Sequence, residues 1–246
     1  MNGVITVLRR ELSGYFATPV AWVFIVIFLV LATSFTFYLG GFYERGIADL
    51  RPFFNYHPWL YLFLVPAVAM RLWAEERKSG TVELLLTLPI TVAQAIVGKF
   101  LAAWLFLGLA LVLTFPIWIT VNYLGDPDNG VIVATYLGSW LTAGAYLAIG
   151  SCMSALTKNQ VVAFVLAVVV SFGFLVSGLP IVLEVFQQGL NLPQGLIDGI
   201  ANLSLLSHFD SISQGLVELR DLVFFALMIA FWLLATLIVL ELRKAQ

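Results

Sequence analysis

Charge is what this chain has least of: Lys and Arg number 12 and Asp and Glu 14 in 246 residues, so 11% are charged while 61% are hydrophobic. A soluble domain holds about 25% charged and about 45–50% apolar residues, so a water-facing globule is excluded. Most of the chain belongs in lipid. With a net charge of −2 and basic residues too scattered to track a phosphate backbone, nucleic acid is excluded as a partner. The single cysteine, Cys152, sits in an apolar stretch without a partner for an intrachain disulfide, and reads as a small core residue.

Catalytic motifs are missing too. No Gly-x-x-x-x-Gly-Lys-Ser/Thr run occurs, and the one Gly-Lys pair, Gly98–Lys99, lacks the earlier glycine, so the chain has no phosphate cradle of its own. The two histidines, His57 and His208, have no Cys or His at ligand spacing, whereas metal sites draw on about three or four ligands. Both read as hydrogen-bonded histidines at a membrane interface. No Gly-x-Ser-x-Gly elbow is present. Ser204, Ser207, Ser211 and Ser213 surround His208 and Asp210, but neighbours on one short stretch rarely align as nucleophile and base. A polar turn with Asp210 or Ser211 as N-cap is favoured over a Ser211–His208–Asp210 hydrolase.

What is present is a series of bilayer-length apolar runs. A window of about 19 residues places six spans near 20–42, 58–73, 93–121, 131–156, 161–183 and 221–240. Six such spans leave no room among these residues for a soluble catalytic domain. Thr91 and Gln94 have capping-box spacing at the start of the third span, and Pro116, Gly173, Gly178 and Pro180 are expected to kink or loosen the third and fifth. Ahead of the first span, Val4, Val7, Leu8, Leu12, Tyr15 and Phe16 alternate with Arg9, Arg10, Glu11 and Ser13 at helical period, an amphipathic helix over 4–16 suited to the headgroup plane. Arg9 and Arg10 before an apolar run also fit the start of a signal peptide; the length of the run and the later spans favour an uncleaved first span.

Even a count of six puts both termini on one side. That side holds Arg9, Arg10, Arg71, Arg77, Lys78, Lys99, Lys158, Arg243 and Lys244, against Arg45, Arg51 and Arg220 on the other, so the termini are expected to be cytoplasmic. The largest outer segment, 184–220, has Asn191 and Gln194 at capping-box spacing around Pro193, then Leu192, Leu196, Ile197, Ile200 and Leu203 on one face. It reads as a short helical cap. The spans carry almost no ionisable residue; Arg71, Lys99 and Asp221 lie near ends, where they can snorkel or cap, which counts against an ion-coupled carrier.

One polar interruption stands apart, Glu75–Glu76–Arg77–Lys78–Ser79–Gly80–Thr81–Val82–Glu83 followed by three leucines. Ser79 and Gly80 break the second span, Thr81 can cap a new helix, Glu83 suits its positive end and Pro89 stops it after about two turns. A short rigid rod results. On pattern alone it fits either a helix lying on lipid or a handle for a soluble partner.

The run from Glu75 through Leu84, Leu85 and Pro89 to Gly98–Lys99 resembles the first cytoplasmic loop of ABC-2-type transporter permeases. More narrowly, the chain resembles the gliding-motility-associated permease and its relative in the nitrous-oxide-reductase maturation transporter. Further matching stretches are Arg10–Glu11–Leu12 through Pro19, Asp49 to Phe54, Leu156 to Phe164, and His208–Phe209–Asp210–Ser211 onward to Gly215.

The resemblance implies an all-α membrane protein of six transmembrane helices, with an N-terminal elbow helix, a cytoplasmic coupling helix within loop 74–92 and an outer cap before the last span. It implies a non-catalytic, multi-pass subunit of the bacterial inner membrane working as a dimer. Glu75, Glu76, Arg77, Gly80, Thr81, Glu83, Leu84 and Leu85 would lie at the contact with a separate ATP-binding subunit. This chain would bind no cofactor, ATP and Mg being held by that partner, and His208, Phe209, Asp210 and Ser211 would form an outer-cap motif. Relatives in the gliding-type branch work with a membrane-anchored accessory protein bearing an extracytoplasmic domain. The alternatives are a scaffold that recruits a cytoplasmic partner and moves nothing, and an ion-coupled carrier.

Overall fold

The computed structural model describes residues 3–81, 90–189 and 193–242, and among them every regular element is helical. Thirteen α-helices are described: α1 (Gly3–Ala17), α2 (Pro19–Ser34), α3 (Arg51–Phe54), α4 (His57–Ala69), α5 (Arg71–Ser79), α6 (Val92–Val112), α7 (Phe115–Leu124), α8 (Asn129–Leu156), α9 (Gln160–Val176), α10 (Pro180–Glu184), α11 (Gln194–Ala201), α12 (Leu205–Ser213) and α13 (Leu219–Leu242). Single π-helical turns extend α2 over Phe35–Leu39 and α10 over Val185–Gly189.

Four stretches are long and apolar enough to cross a bilayer: Ala21–Leu39, Val92–Leu124, Asn129–Leu156 and Leu219–Leu242. A fifth counts if α9 and Pro180–Gly189, bent by 86°, are taken as one. The expected second span is the exception to six. Its apolar part, α4, is 13 residues long, a rise of about 20 Å where the hydrocarbon core needs about 30 Å. Its continuation, α5, carries Arg71, Glu75, Glu76, Arg77 and Lys78. The helix breaks fall at both prolines expected to make them: α6 ends at Val112 with Pro116 in the first turn of α7, and α9 ends before Gly178 and Pro180. Gly173, by contrast, sits inside unbroken α9 with open space around its Cα.

The hub is α8, against which α4, α6, α9, α12 and α13 all pack. Small residues make that possible, as in membrane bundles generally. A Cβ at Gly138 would meet Ile212 at 2.8 Å, at Gly144 Trp104 at 2.8 Å, and at Gly150 the Ala69 methyl at 2.4 Å. Trp104 and Trp140 stack at 4.2 Å, and each indole N–H donates to the other's backbone carbonyl, locking α6 to α8. The contacts also fix directions. Tyr61 meets Ser139 and Trp73 meets Ser154, so α4–α5 runs with α8, whereas Trp104 meets Trp140 and Thr114 meets Tyr136, so α6 runs against it.

The amphipathic helix α1 lies along α6 in the same direction, with Val7 against Gly98 and Tyr15 stacked on Phe106 at 5.0 Å. At the far end, Phe42, Phe53, Phe54 and Phe209 form a second apolar cluster. It seals His57, which is fully buried and hydrogen-bonded at the start of α4: α3 carries Phe53 and Phe54 over the ring, and Ser139 Oγ lies 2.8 Å from both His57 Nδ1 and the Tyr61 hydroxyl.

Candidate functional site

The polar interruption begins as α5, and its root is clamped from three sides. From α8, the buried Ser154 hydroxyl enters the break between α4 and α5. It donates to the Met70 carbonyl at 2.8 Å and accepts from the backbone N–H groups of Trp73 at 3.1 Å and Ala74 at 3.0 Å. The first turn of any helix leaves such N–H groups without partners, and here a neighbouring helix supplies the cap. One turn earlier, Ser151 accepts the Trp73 indole N–H at 3.1 Å, and Arg77 donates to the Ala155 carbonyl. Replacing Ser154 by Ala would leave two buried donors and one acceptor unpaired. We expect a loss of about 1–3 kcal/mol, measurable as a lowered melting temperature of the purified protein.

From α1 and α6 comes a charge cluster. The Lys99 ammonium, 3% exposed, lies 2.8 Å from Glu76 Oε1 and 3.1 Å from Glu11 Oε1, with its charge 5.4 Å from the Trp73 ring centroid. Arg10 closes the group, 2.5 Å from Glu11 and 3.6 Å from Glu76. Burial alone would push the Glu11 carboxyl up, but Lys99 and Arg10 together hold it below its ordinary value. Lys99 therefore neither snorkels nor caps: it is the buried cation that ties the amphipathic helix, the third apolar helix and α5 into one piece.

Beyond that root, α5 ends at Gly80, whose φ of +73° is left-handed and whose N–H bonds the Glu76 carbonyl. Glu75 is exposed. Thr81 turns its hydroxyl back to Ser79 at 2.9 Å and towards the Glu76 carbonyl. Glu83, Leu84 and Leu85, with Pro89, lie outside the described residues. Past them, the capping box at Thr91 and Gln94 is formed in both directions, at 3.2 and 3.1 Å.

At the opposite end, His208 is buried and both ring nitrogens are engaged. Nε2 faces the Asn202 carbonyl at 3.0 Å, and Nδ1 faces Asp221 Oδ1 at 2.6 Å. A carbonyl only accepts, so Nε2 carries a hydrogen; the second contact then needs a proton on either Nδ1 or the carboxyl. The pair is neutral in sum in both cases. It staples α12 to the first turn of α13, with His208 stacked on Phe224 at 3.9 Å and Arg220 bonded to Asn202. Asp210 is exposed, Ser211 is half-buried and Phe209 is fully buried in the far aromatic cluster. Since His208 is spent on Asp221 and Asn202, no Ser211–His208–Asp210 triad forms. The N-cap of α12 is Ser204, which accepts from Ser207 N–H at 3.2 Å, and not Asp210 or Ser211. Asn191, expected to cap the outer helix, lies outside the described residues, and α11 begins after Pro193 without a side-chain cap.

Compared with known protein families, residues 5–242 match the model of the ABC-2 family transporter protein. The chain belongs to the ABC-2 transporter family. It is a multi-pass membrane component of a transport system, and membership implies an ABC ATP-binding partner. No curated protein matches the chain. In this ABC-2 protein, the residues whose partners sequence reasoning missed are Glu11 and Lys99 around α5, and Asp221 beside His208. The only signal for the first pair was a carboxylate on the amphipathic helix and an ammonium on an otherwise apolar one.

Proposed function

We propose that this chain is the permease subunit of an ABC-2-type exporter of the bacterial inner membrane, with six spans, an elbow helix at α1, both termini cytoplasmic and an outer cap over 184–220. The loop 74–92 docks on a separate ATP-binding subunit through Glu75, Glu76, Arg77, Gly80, Thr81, Glu83, Leu84 and Leu85. That partner holds ATP and Mg and carries out the hydrolysis. Two copies of the permease form the conduit, and we assign the chain to the gliding-type branch, with its membrane-anchored accessory protein.

The observation that carries this reading is the clamp on α5. A helix pinned by Ser154 and Ser151 and fixed by Lys99 to α1 and α6 moves with the bundle, so a displacement at its exposed end reaches the membrane helices without being dissipated. The directions support six spans: α4–α5 runs with α8 and against α6, as alternate spans of a six-span bundle would. The positive-inside bias supports the cytoplasmic side for α5.

Gly80 tests the coupling. A Cβ there meets no atom of the described residues within 4 Å, so the cost expected of Gly80→Val is that of the left-handed backbone, about 1–2 kcal/mol, and the substitution is expected to redirect the chain that follows. In a complex reconstituted with its ATP-binding subunit, the variant is expected to fold and hydrolyse ATP while losing most transport. Transport that keeps pace with ATP hydrolysis in Gly80→Val would refute the coupling role.

A further inference from the structure

Where the end of α1, the start of α2, the end of α4 and the middle of α6 meet, they enclose a slot of about 230 Å³ walled by Tyr15, Ala21, Phe24, Leu64, Val68 and Phe106. Its walls are almost entirely apolar. One cation stands at its rim: Arg71, the first residue of α5, is exposed and makes no hydrogen bond or ion pair with any described residue. That contrasts with Arg10, Arg77 and Lys99, each of which is engaged a few residues away. The slot also opens sideways, past Val23 and Ile27, which are 54% and 43% exposed on the outer face of α2. In a bilayer that face meets acyl chains.

We propose that this slot is a binding site for one anionic phospholipid of the surrounding leaflet, an acyl chain between α2 and α4 and the phosphate on the Arg71 guanidinium. A planar guanidinium offers paired donors to phosphate oxygens, and basic pockets between helices near the membrane surface select anionic headgroups. The Tyr15 phenol adds a second polar group on the same wall. Burial and the Glu11 carboxylate push its pKa up, against a smaller pull from Arg71, so it stays a neutral donor. The lipid would fill the angle between α1, α2 and the root of α5, and so brace the part of the fold that carries the polar interruption. The inference rests on the membrane-spanning reading, not on the coupling role, and its test involves neither ATP nor cargo.

The full chain, purified in detergent, is mixed with equal amounts of dioleoylphosphatidylglycerol and dioleoylphosphatidylcholine, and retained lipid is counted by native mass spectrometry. The wild type is expected to retain the anionic lipid at least about fivefold over the zwitterionic one, the scale of a single surface cation. Arg71→Gln should bring the two lipids to parity, and Ala67→Phe, which fills the slot from the α4 wall, should lower retention of both. Arg71 is exposed, so its replacement leaves the packing intact, and an unchanged melting temperature checks this. Undiminished preference for phosphatidylglycerol in Arg71→Gln would overturn the proposal. Displacement of the lipid by excess inorganic phosphate would overturn it too, since that marks a site for a free anion.

Discussion

Lys99→Met is expected to destabilise the protein by about 3 kcal/mol, because removing one partner of a buried ion cluster leaves uncompensated charge behind. Here two carboxylates, Glu11 and Glu76, would be left facing one another with only Arg10 at the rim, which is half exposed. For a chain of this size that loss reads as a fall of about 6–12 °C in Tm. Its pH dependence separates electrostatics from packing. In the wild type the Glu11 carboxyl titrates below its free value of 4.5, so its contribution is present above that range and is lost as pH falls through the lower folded value. In Lys99→Met burial is left without its main counterweight, the carboxyl titrates higher, and acid relieves the repulsion. The deficit against wild type should therefore be largest near neutrality and shrink below about pH 5. Adding Glu11→Gln and Glu76→Gln to Lys99→Met should recover most of the loss. A deficit that is flat with pH and not recovered would show that Lys99 acts through its methylenes.

Gly150→Leu is the second large effect. At Gly150 even a methyl group would lie 2.4 Å from Ala69 Cβ, so a leucine must drive α4 away from α8 or fail to pack. Overpacking of this kind costs about 1–3 kcal/mol and occasionally more, and because α8 is the hub we expect the upper end, with loss of the monodisperse species in size-exclusion chromatography. The sign can be checked with alanine. Gly150→Ala should destabilise in spite of alanine's better helix propensity, whereas Gly173→Ala, with open space around it, should gain about 0.5–1 kcal/mol. Equal effects at the two glycines would mean that the α4–α8 contact is looser than its geometry.

These sites explain how much could be read from the chain before its fold was known. Local chemistry was legible: the Thr91–Gln94 box, the breaks around Pro116 and Pro180, and the left-handed end of α5 at Gly80 each depend on residues within a turn or two. Pairings across the bundle were not. Glu11 and Lys99 are 88 residues apart, and a helical pattern says which face each lies on but not which helix covers it. The three backbone partners of Ser154 exist only because a neighbouring helix breaks at Met70, which no pattern around Ser154 itself can show. The burial of His57 was illegible for the same reason, because it is supplied by α3, a four-residue helix too short to leave a periodic signal. Asp221 looked like a capping acid at a helix start and proved to be the partner of His208.

The cluster at the root of α5 has one more consequence. Its members, Arg10, Glu11, Glu76 and Lys99, carry two positive and two negative charges. Moving one uncompensated charge through a membrane potential involves about 2.3 kcal/mol per 100 mV, so a root held by Lys99 alone would be pulled inward by a cell's resting field and would resist outward motion. The balanced quartet feels almost no net force. The quartet itself therefore adds no voltage dependence, and any response of this region to the membrane potential is left to the other charges on α5, Arg71, Glu75, Arg77 and Lys78.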